Sequence, residues 1–176
     1  EELIQTILQA IDDIGTSSGL YTDNYQCDDW FTDVFKKSDI DTNQILAGNP
    51  RDKNITDHIN SAVKKGIAEK YSKKEAPTLV KGVYLILMAD SNVISKRTGK
   101  PLDPHGGILI NAGDTLYGGN YTYIDNSSSN YPIEGTKGQF KGGVEANDLN
   151  PSDLQGIYGY CSFYYIDIAP YLRREK

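Results

Sequence analysis

The feature that most limits what this chain can fold into is a change of hydrophobic period at Pro77. Before that proline, apolar residues return at helical spacing; after it they fall in extended runs. Leu3, Ile4, Ile7, Leu8, Ile11 and Ile14 recur at i, i+3, i+4, and Gly15 follows as a stop, which predicts an amphipathic helix. Trp30, Phe31, Val34 and Phe35 predict a second helix, running from Cys27 to about Lys37. Ile55, Ile59, Val63, Ile67 and Tyr71 predict a third with a narrow apolar stripe, its lysine-rich remainder a solvated face.

Beyond Pro77 the residues numbered 78–88 form a predicted strand that is apolar on both faces near its end, hence central. A loop bounded by Gly99, Pro101 and Pro104 leads to a second strand, 105–111. Ala112-Gly113 reads as a tight turn and 114–124 as the returning strand. Residues 126–143 are rich in Ser, Asn and Gly and read as a long, mobile connection. A last strand, full of tyrosines, is expected over 156–168. Helices first and antiparallel strands after argue for a single α+β domain over residues 1–176.

The charge balance narrows the partners. Net charge is −6 and no basic block of five or more stands out, so nucleic acid and anionic membranes are poor candidates. The apolar run from Val83 to Ala89 is far too short to span a bilayer. Two distant cysteines and two histidines suit neither a disulfide framework nor a zinc site, so no metal and no cofactor is expected. The chain opens on Glu1 rather than Met, compatible with a secreted protein freed of its signal peptide or with a trimmed chain.

Chemistry centres on Cys27. A thiol in the first turn of a helix sits among free backbone N–H groups and the positive end of the helix dipole, which favours a sulfur anion. A cysteine nucleophile needs an imidazole, and the imidazole needs a third group to orient it. His58, inside the third helix, reads as structural; His105, opening a strand after a proline-bounded loop, is the better base. If Ala112-Gly113 is a two-residue turn, His105 faces Asn120, whose amide oxygen could accept the ring N–H. A slip in register would break that pairing and leave Tyr117 or Asp114 for the role. Asp28 and Asp29 are unexpected neighbours for a nucleophile, unless turned away to tie up first-turn N–H groups. Cys161 reads as core packing, with a disulfide to Cys27 as the alternative.

At this point the layout resembles the NlpC/P60 group of papain-like cysteine peptidases. The correspondence is an amphipathic helix over 3–14, a glycine-containing loop, Tyr25-Gln26-Cys27 at a helix start, the strand around Lys81-Gly82-Val83-Tyr84-Leu85, and His105-Gly106-Gly107-Ile108-Leu109-Ile110. It covers about two-thirds of the chain, mainly by order and spacing. The resemblance implies hydrolysis of amide bonds in bacterial cell-wall peptides by a secreted or periplasmic enzyme. Cys27 would be the nucleophile, His105 the base and a polar residue of the next strand the orienter; Tyr25 would line the substrate cleft, with Asp29 and Tyr117 beside it. The Cys27 N–H would help bind the oxyanion. The chain departs from the pattern in carrying Asp28 where a small residue is usual, and in a helical insertion near 43–75. Ungapped alignment of the hairpin puts the orienting position at Tyr117. The related CHAP amidases share the same residue order.

Two other readings keep the scaffold. One is a secreted papain-like effector or toxin acting on a protein target as a deamidase, acyltransferase or protease, with an inhibitor or immunity protein as partner. The other is a non-catalytic domain that binds glycans or peptides through its Tyr-rich strands and loops.

Overall fold

A computed structural model describes residues 2–95, 98–115, 118–136, 139–154 and 159–173. The chain is α+β: N-terminal helices pack against an open, six-stranded antiparallel sheet. The helices are α1 (Glu2–Ile14), α2 (Cys27–Lys37), the single turn α3 (Thr42–Ile45) and α4 (Ile55–Lys65). The strands are β1 (Glu69–Tyr71), β2 (Gly82–Ser91), β3 (His105–Thr115), β4 (Gly118–Ser127), β5 (Gly143–Asn147) and β6 (Tyr160–Asp167), in the spatial order β1-β6-β2-β3-β4-β5.

Strand alternation divides the apolar residues between two clusters. Val83, Leu85 and Leu87 of β2, Ile108 and Ile110 of β3 and Ile124 of β4 face the helices. There they meet Ile7 and Ile11 of α1 and Trp30, Phe31, Val34 and Phe35 of α2, side chains almost wholly withdrawn from water. Tyr84, Ile86, Met88, Leu109, Tyr123 and Phe163 form the second cluster, closed by Tyr71, Leu79 and Leu154.

Three expectations change. The third helix ends at Lys65, because Gly66 takes the left-handed conformation (φ 74°) and turns the chain out of the helix. Tyr71, read as the last residue of its stripe, belongs instead to β1 and pairs with Phe163 of β6. The central strand starts at Gly82 rather than 78: the Leu79 N–H donates to the Tyr121 hydroxyl (3.0 Å) and the Leu79 carbonyl accepts from Asn111 Nδ2 (2.7 Å), so side chains replace a strand partner. Ala112-Gly113 is not the hairpin turn. Both residues lie within β3, where the ladder shifts register between Asn111 and Asp114, and β3 and β4 run on to pair Thr115 with Gly118.

Candidate active site

The longer hairpin decides which residue stands behind His105. Its register sets Ile108 opposite Ile124 and Leu109 opposite Tyr123, so continuing the ladder brings Asp125 level with Gly107. His105 and Asp125 then share one side of the hairpin as diagonal neighbours. The His105 Nε2 to Asp125 Oδ2 distance is 2.6 Å. Asn120 is exposed near the far end of β4, and its expected pairing with His105 does not occur, because the turn on which that pairing depended is a bulge. Tyr117 lies outside the described residues. Asp114 pairs through its backbone with Gly119, toward the hairpin's far end from His105.

Cys27 reaches the same imidazole from the helix layer. The capping geometry of α2 starts the helix at this residue: Asp29 Oδ2 accepts the Gln26 N–H at 2.9 Å. One of the two unexpected carboxylates is therefore committed to the cap. Tyr25, expected to line a substrate cleft, is half-buried and donates its hydroxyl to Asp33 Oδ2 (2.9 Å), one turn beyond Asp29 along α2. Asn126 Nδ2 donates to the carbonyls of Tyr25 (3.1 Å) and Gln26 (3.4 Å), fixing the two residues before Cys27 to β4. Consecutive residues of β4 thus hold the two halves of the site: Asp125 grips His105 and Asn126 grips the approach to Cys27.

Glycine lets the layers come this close. A Cβ on Gly106 would stand 2.9 Å from Phe31 Cε2 and 3.0 Å from Leu87 Cδ2, and one on Gly107 would stand 2.4 Å from the Tyr123 hydroxyl oxygen. The two residues after His105 therefore admit α2 on one side and Tyr123 on the other.

The electrostatics are those of a coupled pair. Burial pulls the His105 imidazolium down, but the Cys27 sulfur, close enough to share a hydrogen bond with the ring, and the Asp125 carboxylate push it up to about 10. With Nε2 held by Asp125, Nδ1 is the nitrogen left for the sulfur. Asp125 is fully buried, whereas Cys27 and His105 keep 8 % and 9 % of their surface. Burial, then the neighbouring Asp29, raise the Asp28 carboxyl to about 6, against the opposing pull of His105.

The remaining candidates lie apart. His58 is buried; its Nδ1 accepts the Ala47 N–H at 3.0 Å and its ring meets Phe31 edge-on, a packing role. Cys161, expected in the core, is exposed on β6, and both cysteines are free, so no disulfide joins them. Among the described residues no group of three or more His, Cys, Asp or Glu is placed to hold a metal, and no helix is long and apolar enough to cross a membrane.

Asp125 and the residue behind it, Asn130, were missed by sequence reasoning. One signal was present: Tyr121, Tyr123 and Asp125 alternate on one side of β4, so an acid continues a buried aromatic row. Comparison with family models, curated proteins and solved structures finds no match.

Proposed function

We propose that this chain is a thiol-dependent hydrolase of the papain-like, NlpC/P60 type that cleaves amide bonds in bacterial cell-wall peptides. One observation carries the reading: Cys27, at a helix start, adjoins a histidine whose far nitrogen lies 2.6 Å from a buried carboxylate. That is the constellation of nucleophile, base and orienter that acyl transfer requires. The order of helix, cysteine helix, central strand and histidine strand supports the same family.

In this reading the proton shared by Cys27 and His105 rests on Nδ1, and the sulfur attacks the amide carbon as its anion. The tetrahedral oxyanion faces the Cys27 N–H, which by its position in the first turn has no intrahelical partner. Collapse breaks the C–N bond, and the departing amine takes the proton from His105. Water then attacks the thioester and gives a proton to His105. The second tetrahedral intermediate collapses by breaking the C–S bond, the acid product leaves, and the sulfur is restored beside protonated His105. Asp125 holds the ring and stabilises its protonated form throughout, a role sequence reasoning assigned to Asn120. A cell-wall substrate places the enzyme outside the cytoplasm.

The test is incubation with purified muropeptides, read by mass spectrometry. Wild-type protein should release products with a new carboxyl and a new amine, and Cys27→Ala and His105→Ala should release none. Equal cleavage by Cys27→Ala, or no cleavage of any muropeptide by wild type, would end the proposal.

A further inference from the structure

We infer that Asn130 is a positioning residue for the His105 base, acting through Asp125; the inference rests on the reading of Cys27, His105 and Asp125 as a reactive set. Asn130 lies between β4 and β5, in a stretch whose composition reads as mobile, yet it is buried. Its Nδ2 lies 3.0 Å from Asp125 Oδ1, 3.2 Å from the Asp125 carbonyl and 2.8 Å from the Gly143 carbonyl. Two hydrogens serve three acceptors: one is shared by the Asp125 oxygens and the other goes to Gly143. The backbone of Asn130 is braced as well, donating to the Ser127 carbonyl (3.3 Å) and accepting from the Gly142 N–H (3.0 Å).

The consequence is geometric. A carboxylate held only at Oδ2 can swing about its Cβ–Cγ bond, whereas one held at both oxygens cannot. Asn130 occupies Oδ1 and leaves Oδ2 aimed at His105 Nε2, so the ring is fixed with Nδ1 toward Cys27. A neutral amide does this without adding charge to a site that already holds Asp28, Asp125, the sulfur and the imidazole. The chain Asn130–Asp125–His105–Cys27 is a hydrogen-bonded series in which the outer member sets the aim of the inner ones.

A double-mutant cycle tests this in a Cys161→Ser background, where Cys27 is the one thiol left for iodoacetamide. Asn130→Leu, matched in branching and heavy-atom count but without a donor, should slow alkylation of Cys27 at neutral pH about tenfold. It should also broaden the proton resonance of the His105 Nε2–H. Asp125→Asn should slow alkylation at least as much, and Asn130→Leu added to it should slow it no further. Losses that multiply, or an unchanged rate and resonance in Asn130→Leu, would overturn the inference. Should Asn130→Leu not fold, the isosteric Asn130→Asp serves. Its carboxylate would oppose Asp125 at alkaline pH and donate once protonated, so its deficit relative to wild type should shrink as pH falls; a constant ratio would overturn the inference. The cycle uses no substrate. Wild-type protein that hydrolyses no muropeptide would end the functional proposal and leave the cycle readable.

Discussion

Phe31 lies over Gly106, one helical turn beyond Cys27 and one residue beyond His105, with no room for a Cβ between them. The contact sets the spacing between the helix that carries the sulfur and the strand that carries the imidazole. Gly106→Ala would place a methyl 2.9 Å from Phe31 Cε2 and 3.2 Å from the Ile86 carbonyl, and backbone gives way less readily than a side chain. Urea unfolding should show a loss of about 1–3 kcal/mol. Alkylation of Cys27 should slow even where the variant is fully folded, because the displaced helix carries the sulfur with it. An unchanged alkylation rate in a folded Gly106→Ala would show that this packing does not set the distance between sulfur and ring.

The pH dependence of stability should carry the mark of His105. Its imidazolium is raised to about 10 from an ordinary 6.5, so the folded state binds the proton more tightly than the unfolded chain does. The stabilisation is complete below about pH 6.5 and fades as pH climbs through the folded-state value. Asp125→Asn removes one of the groups that raise the imidazolium. Its stability deficit relative to wild type should be largest near about pH 6 and narrow toward about pH 10, as the same linkage requires. Denaturant midpoints across that range provide the measurement, and a deficit independent of pH would argue that Asp125 supports packing alone.

His58 should act with the opposite sign. Burial pushes its imidazolium down to about 4, with Asp57 opposing that shift and Lys65 adding to it. The Ala47 N–H donates to Nδ1, so the neutral ring carries its hydrogen on Nε2. The folded state therefore resists protonation. Stability from this residue is present above about pH 6.5 and lost as pH falls through about 4. Replacement by Gln retains an acceptor for Ala47 but cannot take up the proton. His58→Gln should lose less stability than wild type between pH 6 and 4, a window given by the same linkage. A parallel fall in both proteins would contradict this.

The longer helices before Pro77 were legible because one face of each is buried: α1 and α2 begin and end within a residue or so of where their apolar spacing puts them, whereas the single turn α3 was not expected. Gly66 marks the limit of that method. Ile67 and Tyr71 keep the four-residue spacing of α4, but the left-handed glycine breaks the helix and Tyr71 reaches the core from a strand. The position of Cys27 at a helix start and of His105 at a strand start was equally readable. The residue behind His105 was not, since Ala112-Gly113 has the chemistry of a turn and serves as a bulge. A register is fixed by pairing along the whole ladder, so one misread turn moved the expected partner from Asp125 to Asn120. Asn130 was beyond reach for another reason: its burial depends on β5 closing over it, a contact between segments whose composition is that of a loop.

Asn126 offers the sharpest separation between holding the helix and holding the imidazole. It precedes neither Cys27 nor His105 in sequence, and its amide touches only the carbonyls of Tyr25 and Gln26 among the described partners. Asn126→Ala would leave both carbonyls without that donor, at a cost of about 1–3 kcal/mol where they stay shielded from water. The start of α2 should loosen while the His105–Asp125 pair, on the opposite side of β4, stays as it is. The expected signature is slower alkylation of Cys27 together with an unaltered His105 Nε2–H resonance. Asp125→Asn should disturb both. Loss of the His105 resonance in Asn126→Ala would mean that the two halves of the site are not held independently by these adjacent residues.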